Sequence, residues 1–239
     1  MAQKPLPYAW HETQLMPLED VRISPFDRGY LFGDGVYEVI PFYDAQPVGL
    51  DEHLDRLCLS LDAIALEMPH SRDTLISIFN DVVAANGGGH QSLYLQYSRS
   101  GDIGRDHVYP DQAYASLFVM CHALTPPTSD TYLLGKSAVL AQDTRWLRCD
   151  IKSTSLLANV MSKEAAAKAG AIEAILHRDG FITEGSTSAI GIVSNGTLKA
   201  PPLDTTLLPS VTRTLTFEVA EALGIPAIEG PVSVDECLS

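Results

Sequence analysis

Of the six lysines in this sequence, Lys152 stands where an amine could do chemistry. It lies in Arg145-Trp146-Leu147-Arg148-Cys149-Asp150-Ile151-Lys152-Ser153-Thr154-Ser155, between an extended segment and a helix. A lysine held there can lose hydration, which lowers its pKa and frees an amine for Schiff-base chemistry. A surface salt bridge is the alternative. Lys163 and Lys168 sit on the polar face of an Ala-rich helix and read as solvated. Glu184 ends a hairpin strand and is followed by Gly185-Ser186-Thr187-Ser188, where a lone carboxylate ordinarily serves as a turn or capping group. Arg56 lies on an amphipathic helix beside Leu57 and, taken alone, reads as a solvated helix charge. Arg105-Asp106-His107 offers two donors that could clasp a carboxylate. Leu207-Leu208-Pro209-Ser210-Val211-Thr212-Arg213 opens a helix whose free N–H groups make an anion site, although most helix N-termini bind only water. Gly33-Asp34-Gly35 looks like a fragment of a phosphate loop, but neither a GxGxxG spacing nor a following Walker lysine accompanies it.

These residues need elements to carry them. Val36–Tyr43 is rich in β-branched and aromatic residues and reads as a strand. Asp51–Ala65 places Leu54, Leu57, Cys58, Leu61 and Ile64 at helical spacing behind an acidic start. Ser71 caps a second helix that runs to Asn86 and stops at Gly87-Gly88-Gly89. Ser92–Ser98 and Ala113–His122 read as strands, and the polar Arg99–Gln112 between them is a loop long enough to be functional. Ala123–Asp130, with Pro126-Pro127, reads as a linker. Beyond it come a strand over Lys136–Gln142 and a helix over Leu156–Ala169. Two hairpins follow, Glu173–His177 with Phe181–Glu184 around Arg178-Asp179-Gly180, and Ser188–Ser194 with Thr197–Ala200 around Asn195-Gly196. The last helix spans Pro209–Leu223. The pattern predicts an α/β fold in two lobes: a 1–122 N-terminal α/β domain, a 123–130 linker and a 131–239 C-terminal domain dominated by antiparallel hairpins.

Composition narrows the classes. The 239 residues are 46% hydrophobic and carry a formal net charge of −14, which favours a buried core and disfavours non-specific nucleic-acid binding. No apolar run approaches membrane-spanning length and the first residues lack an apolar leader core, so a cytoplasmic protein without membrane or nucleic-acid partners is expected. Cys58, Cys121, Cys149 and Cys237 form no CxxC pair and have no His at ligand spacing. Reduced, mostly buried thiols are expected, and no metal site.

Taken together, four segments resemble one family. They are Asp27-Arg28-Gly29-Tyr30-Leu31-Phe32-Gly33-Asp34-Gly35-Val36-Tyr37-Glu38, His53-Leu54-Asp55-Arg56-Leu57, Asp150-Ile151-Lys152-Ser153 and Thr183-Glu184-Gly185-Ser186-Thr187-Ser188. In order and spacing, across essentially the whole chain, they resemble the class IV (fold-type IV) pyridoxal-phosphate aminotransferases. The Arg145–Ser153 stretch and the Arg105-x-His107 loop look most like the bacterial D-amino acid (D-alanine) transaminase branch.

The resemblance implies a small N-terminal α/β domain, a larger antiparallel pseudo-barrel C-terminal domain and a homodimer. It implies that Lys152 holds pyridoxal 5'-phosphate as a Schiff base and moves the substrate proton. Glu184 would face the pyridine nitrogen. Arg56 and the N–H groups of Val211 and Thr212 would hold the phosphate, and Leu208 would pack on the ring. Tyr37, Arg105 and His107 would grip the substrate α-carboxylate. The implied reaction moves an amino group between D-amino acids (D-alanine, D-glutamate, D-aspartate) and 2-oxo acids. Alternatives are a relative using branched-chain L-amino acids or aminodeoxychorismate, and a homologue that binds the cofactor without turnover. Three departures stand out. Ser210 replaces a frequent Gly and would be strained if that position needs φ > 0. Ala189 replaces an Asn. The family is expected to continue for about one more strand-and-helix unit beyond Ser239, so the C-terminal domain reads as incomplete.

Overall fold

The computed structural model describes residues 4–101 and 104–239, with backbone only at 131 and 132. Asp102 and Ile103 of the expected loop, and the first three residues of the stretch read for a leader, lie outside the described residues. The chain forms two compact units, Met1–Thr128 with Ile151–Ser155, and Ser129–Asp150 with Leu156–Ser239. The segment bearing Lys152 therefore packs with the first unit, whereas the sequence pattern had placed it with the second half of the chain.

The first unit holds β1 (Pro5–His11), β2 (Gln14–Pro17), α1 (Arg28–Phe32), β3 (Gly35–Tyr43), β4 (Gln46–Pro47), α2 (Leu50–Ala63), α3 (Arg72–Ala85), β5 (Gln91–Ser100) and β6 (Tyr114–Ala123). Its sheet runs β2-β1-β6-β5-β3-β4, antiparallel throughout. Strand alternation sends Val36, Ile40 and Phe42 of β3 into one core with Leu93, Leu95 and Tyr97 of β5 and Leu117 and Val119 of β6. Leu54, Leu57 and Leu61 of α2 and Leu75, Phe79 and Val82 of α3 close over it. Each such side chain contributes about 1.5–3 kcal/mol on burial, so this core fixes the frame beneath α2 and β3. The expected start of α3 is observed, with Ser71 Oγ accepting from Thr74 N at 3.1 Å.

The second unit contains α4 (Ser129–Leu133), β7 (Ala138–Gln142), α5 (Leu157–Lys168), β8 (Glu173–Arg178), β9 (Phe181–Gly185), β10 (Ile192–Ser194), β11 (Thr197–Ala200), α6 (Val211–Ala222), β12 (Ala227–Glu229) and α7 (Val234–Leu238). Both expected hairpins form, β8 with β9 and β10 with β11. Asn195 and Gly196 take φ of 51° and 77°, the left-handed pair that a two-residue hairpin turn needs. Each hairpin also gains a parallel neighbour, β7 on β8 and β12 on β11, which the local pattern did not reveal. The strand expected over Ser188–Ser194 is formed only at Ile192–Ser194, because Gly185 N donates to Ser188 O in a tight turn instead.

Candidate active site

In the first unit, Lys152 is pinned by its backbone. Tyr37 N donates to Lys152 O at 3.0 Å, Lys152 N donates to Ser60 Oγ at 3.2 Å, and Thr154 N donates to Gly35 O at 2.9 Å. Ser153 bridges Val36, and Ile151 is buried in the core. The segment thus lies as a short strand along the start of β3. The two glycines beside it are explained by this contact. A Cβ on Gly35 would come 2.7 Å from Tyr97 O and 3.3 Å from Thr154 Oγ1, and one on Gly33 (φ +66°) would meet Ser155 Oγ at 2.5 Å. Gly33-Asp34-Gly35 is therefore a docking surface for the lysine segment. The half-buried Lys152 extends its Nζ to 4.4 Å from the centroid of the Tyr37 ring, which itself stacks on Tyr94.

Arg56 is buried rather than solvated. Its Nε and Nη2 donate to Glu38 Oε1 and Oε2 at 2.8 and 2.7 Å, and His53 Nδ1 lies 2.7 Å from Oε2. Burial pushes the Glu38 carboxyl up, but the Arg56 and His53 hydrogen bonds and the charges of Arg56 and Lys152 outweigh it, so Glu38 lies below its ordinary value. Glu38 and His53 were not among the residues singled out from the sequence. A signal existed: Glu38 shares the buried strand phase of Val36 and Ile40, and His53, Arg56 and Ser60 interrupt the apolar stripe of α2 at i, i+3 and i+7.

Arg105 and His107 are exposed and meet on Phe32: the Arg105 guanidinium carbon lies 5.3 Å from its ring centroid and the His107 ring 5.1 Å.

In the second unit, Glu184 is buried at the end of β9. Arg145 Nη1 donates to Oε1, and Leu208 N donates to Oε2 at 3.2 Å. Arg145 divides itself, giving Nε and Nη2 to Asp143 at 3.0 and 2.8 Å. Burial pushes Glu184 up, Arg145 and the Leu208 N–H only partly offset this, and Asp143 adds like-charge repulsion, so the carboxyl lies above its ordinary value. Asp143 and Arg145 were also missed as functional neighbours of Glu184. Lys163 is likewise not simply solvated: it donates to Ile172 O, Glu173 and Thr187.

Val211 and Thr212 form the first turn of α6, where helix geometry leaves N–H groups without an intrahelical acceptor. Ser210 is the cap, with φ −79° and ψ 126°, and its hydroxyl accepts from Arg213 N at 3.2 Å. The strain expected of a serine here does not arise, because the backbone is extended and not left-handed. Among the described residues no His/Cys/Asp/Glu cluster could hold a metal, and no helix is long and apolar enough to cross a membrane.

A family model for class IV amino-transferases matches residues 35–239. The chain belongs to this family. The aminotransferase is 37% identical over 224 residues to a D-alanine aminotransferase of Listeria innocua, covering 93% of this chain and 78% of the relative. It is 38% identical over 226 residues to a D-alanine aminotransferase of Bacillus licheniformis, covering 95% and 79%. Its fold matches the branched-chain aminotransferase of the thermophilic archaeon Thermoproteus uzoniensis, solved with norvaline, at a TM-score of 0.84 and 24% identity, over 98% of this chain and 80% of that one.

Class IV aminotransferases depend on pyridoxal phosphate. Taken unit by unit, residues have the chemistry that group calls for: in the first a positioned amine at Lys152, and in the second a buried carboxylate at Glu184 whose arginine is shared, and helix-start N–H groups at Val211 and Thr212.

Proposed function

We propose that this aminotransferase uses pyridoxal 5'-phosphate to move amino groups between D-amino acids (D-alanine, D-glutamate, D-aspartate) and 2-oxo acids. The observation that carries the reading is the Lys152 amine, held against the Tyr37 ring by backbone hydrogen bonds on both sides of the residue. The D-amino acid preference rests on the similarity to D-alanine aminotransferases and on Arg105-x-His107. The bound cofactor supplies a carbonyl carbon for the amino group and an electron-withdrawing ring. Lys152 would hold the cofactor, and its amine would move the proton at the substrate α-carbon. Glu184 would hold a proton on the ring nitrogen, a role suited to a buried carboxylate not fully neutralised by Arg145. Val211 and Thr212 N–H groups and Arg56, oriented by Glu38, would hold the phosphate, and Leu208 would pack on the ring. Tyr37, Arg105 and His107 hold the α-carboxylate, so that one enantiomer directs its Cα–H at Lys152. The working form is a homodimer in the cytoplasm.

The test is borohydride reduction of the cofactor-loaded protein followed by peptide mass mapping, with turnover measured on D- and L-alanine plus 2-oxoglutarate. The expected result is a pyridoxyl adduct on Lys152, its loss in Lys152→Ala, and turnover of the D enantiomer. An adduct on another lysine refutes the site, and turnover of the L enantiomer alone refutes the substrate assignment.

A further inference from the structure

One buried cation in the first unit has no part in the reading so far. Arg28, at the start of α1, is 3% exposed. Its Nε donates to Asp34 Oδ2 at 2.8 Å. Its other nitrogens go to three successive backbone carbonyls of the otherwise exposed loop: Nη1 to Asp106 and Val108, and Nη2 to His107 at 3.3 Å. The loop is held from its flanks as well. Arg99 donates to Asp34 at 3.1 Å and to the carbonyls of Ile64 and Ala65, and its guanidinium lies 3.7 Å from the Tyr109 ring centroid. Phe32, one turn along from Arg28, has the Arg28 guanidinium carbon 4.8 Å from its ring centroid and also meets Arg105 and His107.

We infer that Arg28 is a positioning residue for recognition of the substrate carboxylate: it gathers the carbonyls of residues 106–108 and so fixes the backbone that presents Arg105 and His107. The inference rests on the reading that those two side chains grip the α-carboxylate. The chemistry calls for arginine. Three carbonyls and one carboxylate converge on a planar fork with five N–H donors, and a lysine ammonium at the same place has only three and no fixed plane. Two solvent-exposed side chains on an irregular loop would otherwise sample many arrangements. A preorganised backbone lets them meet a carboxylate without ordering the loop at each turnover. Asp34 completes the device by pairing with both Arg28 and Arg99, which ties the two guanidiniums together and leaves the cluster positive, the sign that favours a carboxylate substrate.

The experiment compares Arg28→Lys, Phe32→Leu and Arg105→Ala with the cofactor-loaded wild type. It measures steady-state kinetics on D-alanine, cofactor affinity, and amide hydrogen exchange over residues 104–109. The expected result for Arg28→Lys is a KM increase of about tenfold with kcat within about twofold, unchanged cofactor affinity and faster exchange in the loop. Phe32→Leu shifts KM and exchange in the same direction by about threefold, and it decides the matter alone if Arg28→Lys does not fold. If Arg105→Ala raises KM while Arg28→Lys and Phe32→Leu change neither KM nor loop exchange, Arg28 is merely structural and the inference is overturned. If Arg105→Ala itself leaves KM unchanged, the substrate reading fails and the positioning role falls with it, whatever the exchange shows.

Discussion

Two buried carboxylates, one in each unit, meet an arginine in opposite ways. Glu38 in the first unit is fully enclosed, and Arg56 gives it two parallel hydrogen bonds while His53 adds a third. Glu184 in the second unit is nearly as buried but receives one Arg145 nitrogen and one backbone N–H, because Arg145 commits its remaining nitrogens to Asp143 and Thr206 O. The consequence is a carboxyl below its ordinary value in the first case and above it in the second. Bidentate pairing with an arginine makes a fixed charge. Sharing the arginine with a second acid leaves a carboxylate that still gains from another positive neighbour. The first arrangement suits a residue that orients Arg56, and the second suits the role proposed for Glu184 beside a protonated ring nitrogen.

The largest effect that would break this contrast is in stability. Glu38→Gln removes the carboxylate that buried Arg56 pairs with twice and should destabilise the protein by about 3–5 kcal/mol in urea unfolding. A loss as small as that of a surface variant would show that the pair is not buried in solution. Glu184→Gln should stay within about 1 kcal/mol of wild type in the cofactor-free protein, since Arg145 keeps Asp143, yet lower kcat by about 100-fold. Equal stability losses in the two variants would erase the distinction.

The pH dependence sharpens the comparison. The Glu38 contribution is present above the ordinary carboxyl value of 4.5 and is lost as pH falls through its lower folded value. Glu184, raised in the folded state, contributes below 4.5 and loses that contribution as pH rises through its folded value. The stability difference between wild type and Glu38→Gln should therefore shrink in acid, while that for Glu184→Gln should move in wild type's favour. Parallel slopes would contradict the assignment.

The smallest effect lies beside them. Burial opposes ionisation of Glu173, but hydrogen bonds from Ser186, Thr187, Ser188 and the Ala174 N–H hold its carboxyl down to about 2. Glu173→Gln should remove a modest acid-dependent part of the stability, present above 4.5 and lost towards pH 2. A melting profile unchanged between those limits would show that the three hydroxyls do not act on this carboxylate.

Much of the fold was legible where the deciding physics is local. Ser71 with Gly87-Gly88-Gly89 bounded α3, and Asn195-Gly196 set a hairpin turn, because caps and left-handed turns are chosen by a few adjacent residues. The parallel pairs β7–β8 and β11–β12 were not legible, since a parallel partner arrives from a distant part of the chain and leaves no turn signature. Nor were β1, β2 and α1, whose short or proline-bearing segments carry weak periodicity. In the candidate site, Lys152, Glu184 and Arg56 were named from the sequence, but the partners that tune them, Glu38, His53, Asp143 and Arg145, were not.

The sequence by itself determined the family and nominated the residues proposed to carry its chemistry, because motif order and residue type survive without coordinates. Only the tertiary structure decided how each charge is used. Whether an arginine belongs to one acid or two, and whether it holds a carboxylate like Glu38 or the carbonyls of a loop as Arg28 does, depends on groups far apart in the chain and on their burial together, where pairing geometry sets the energy of a charge.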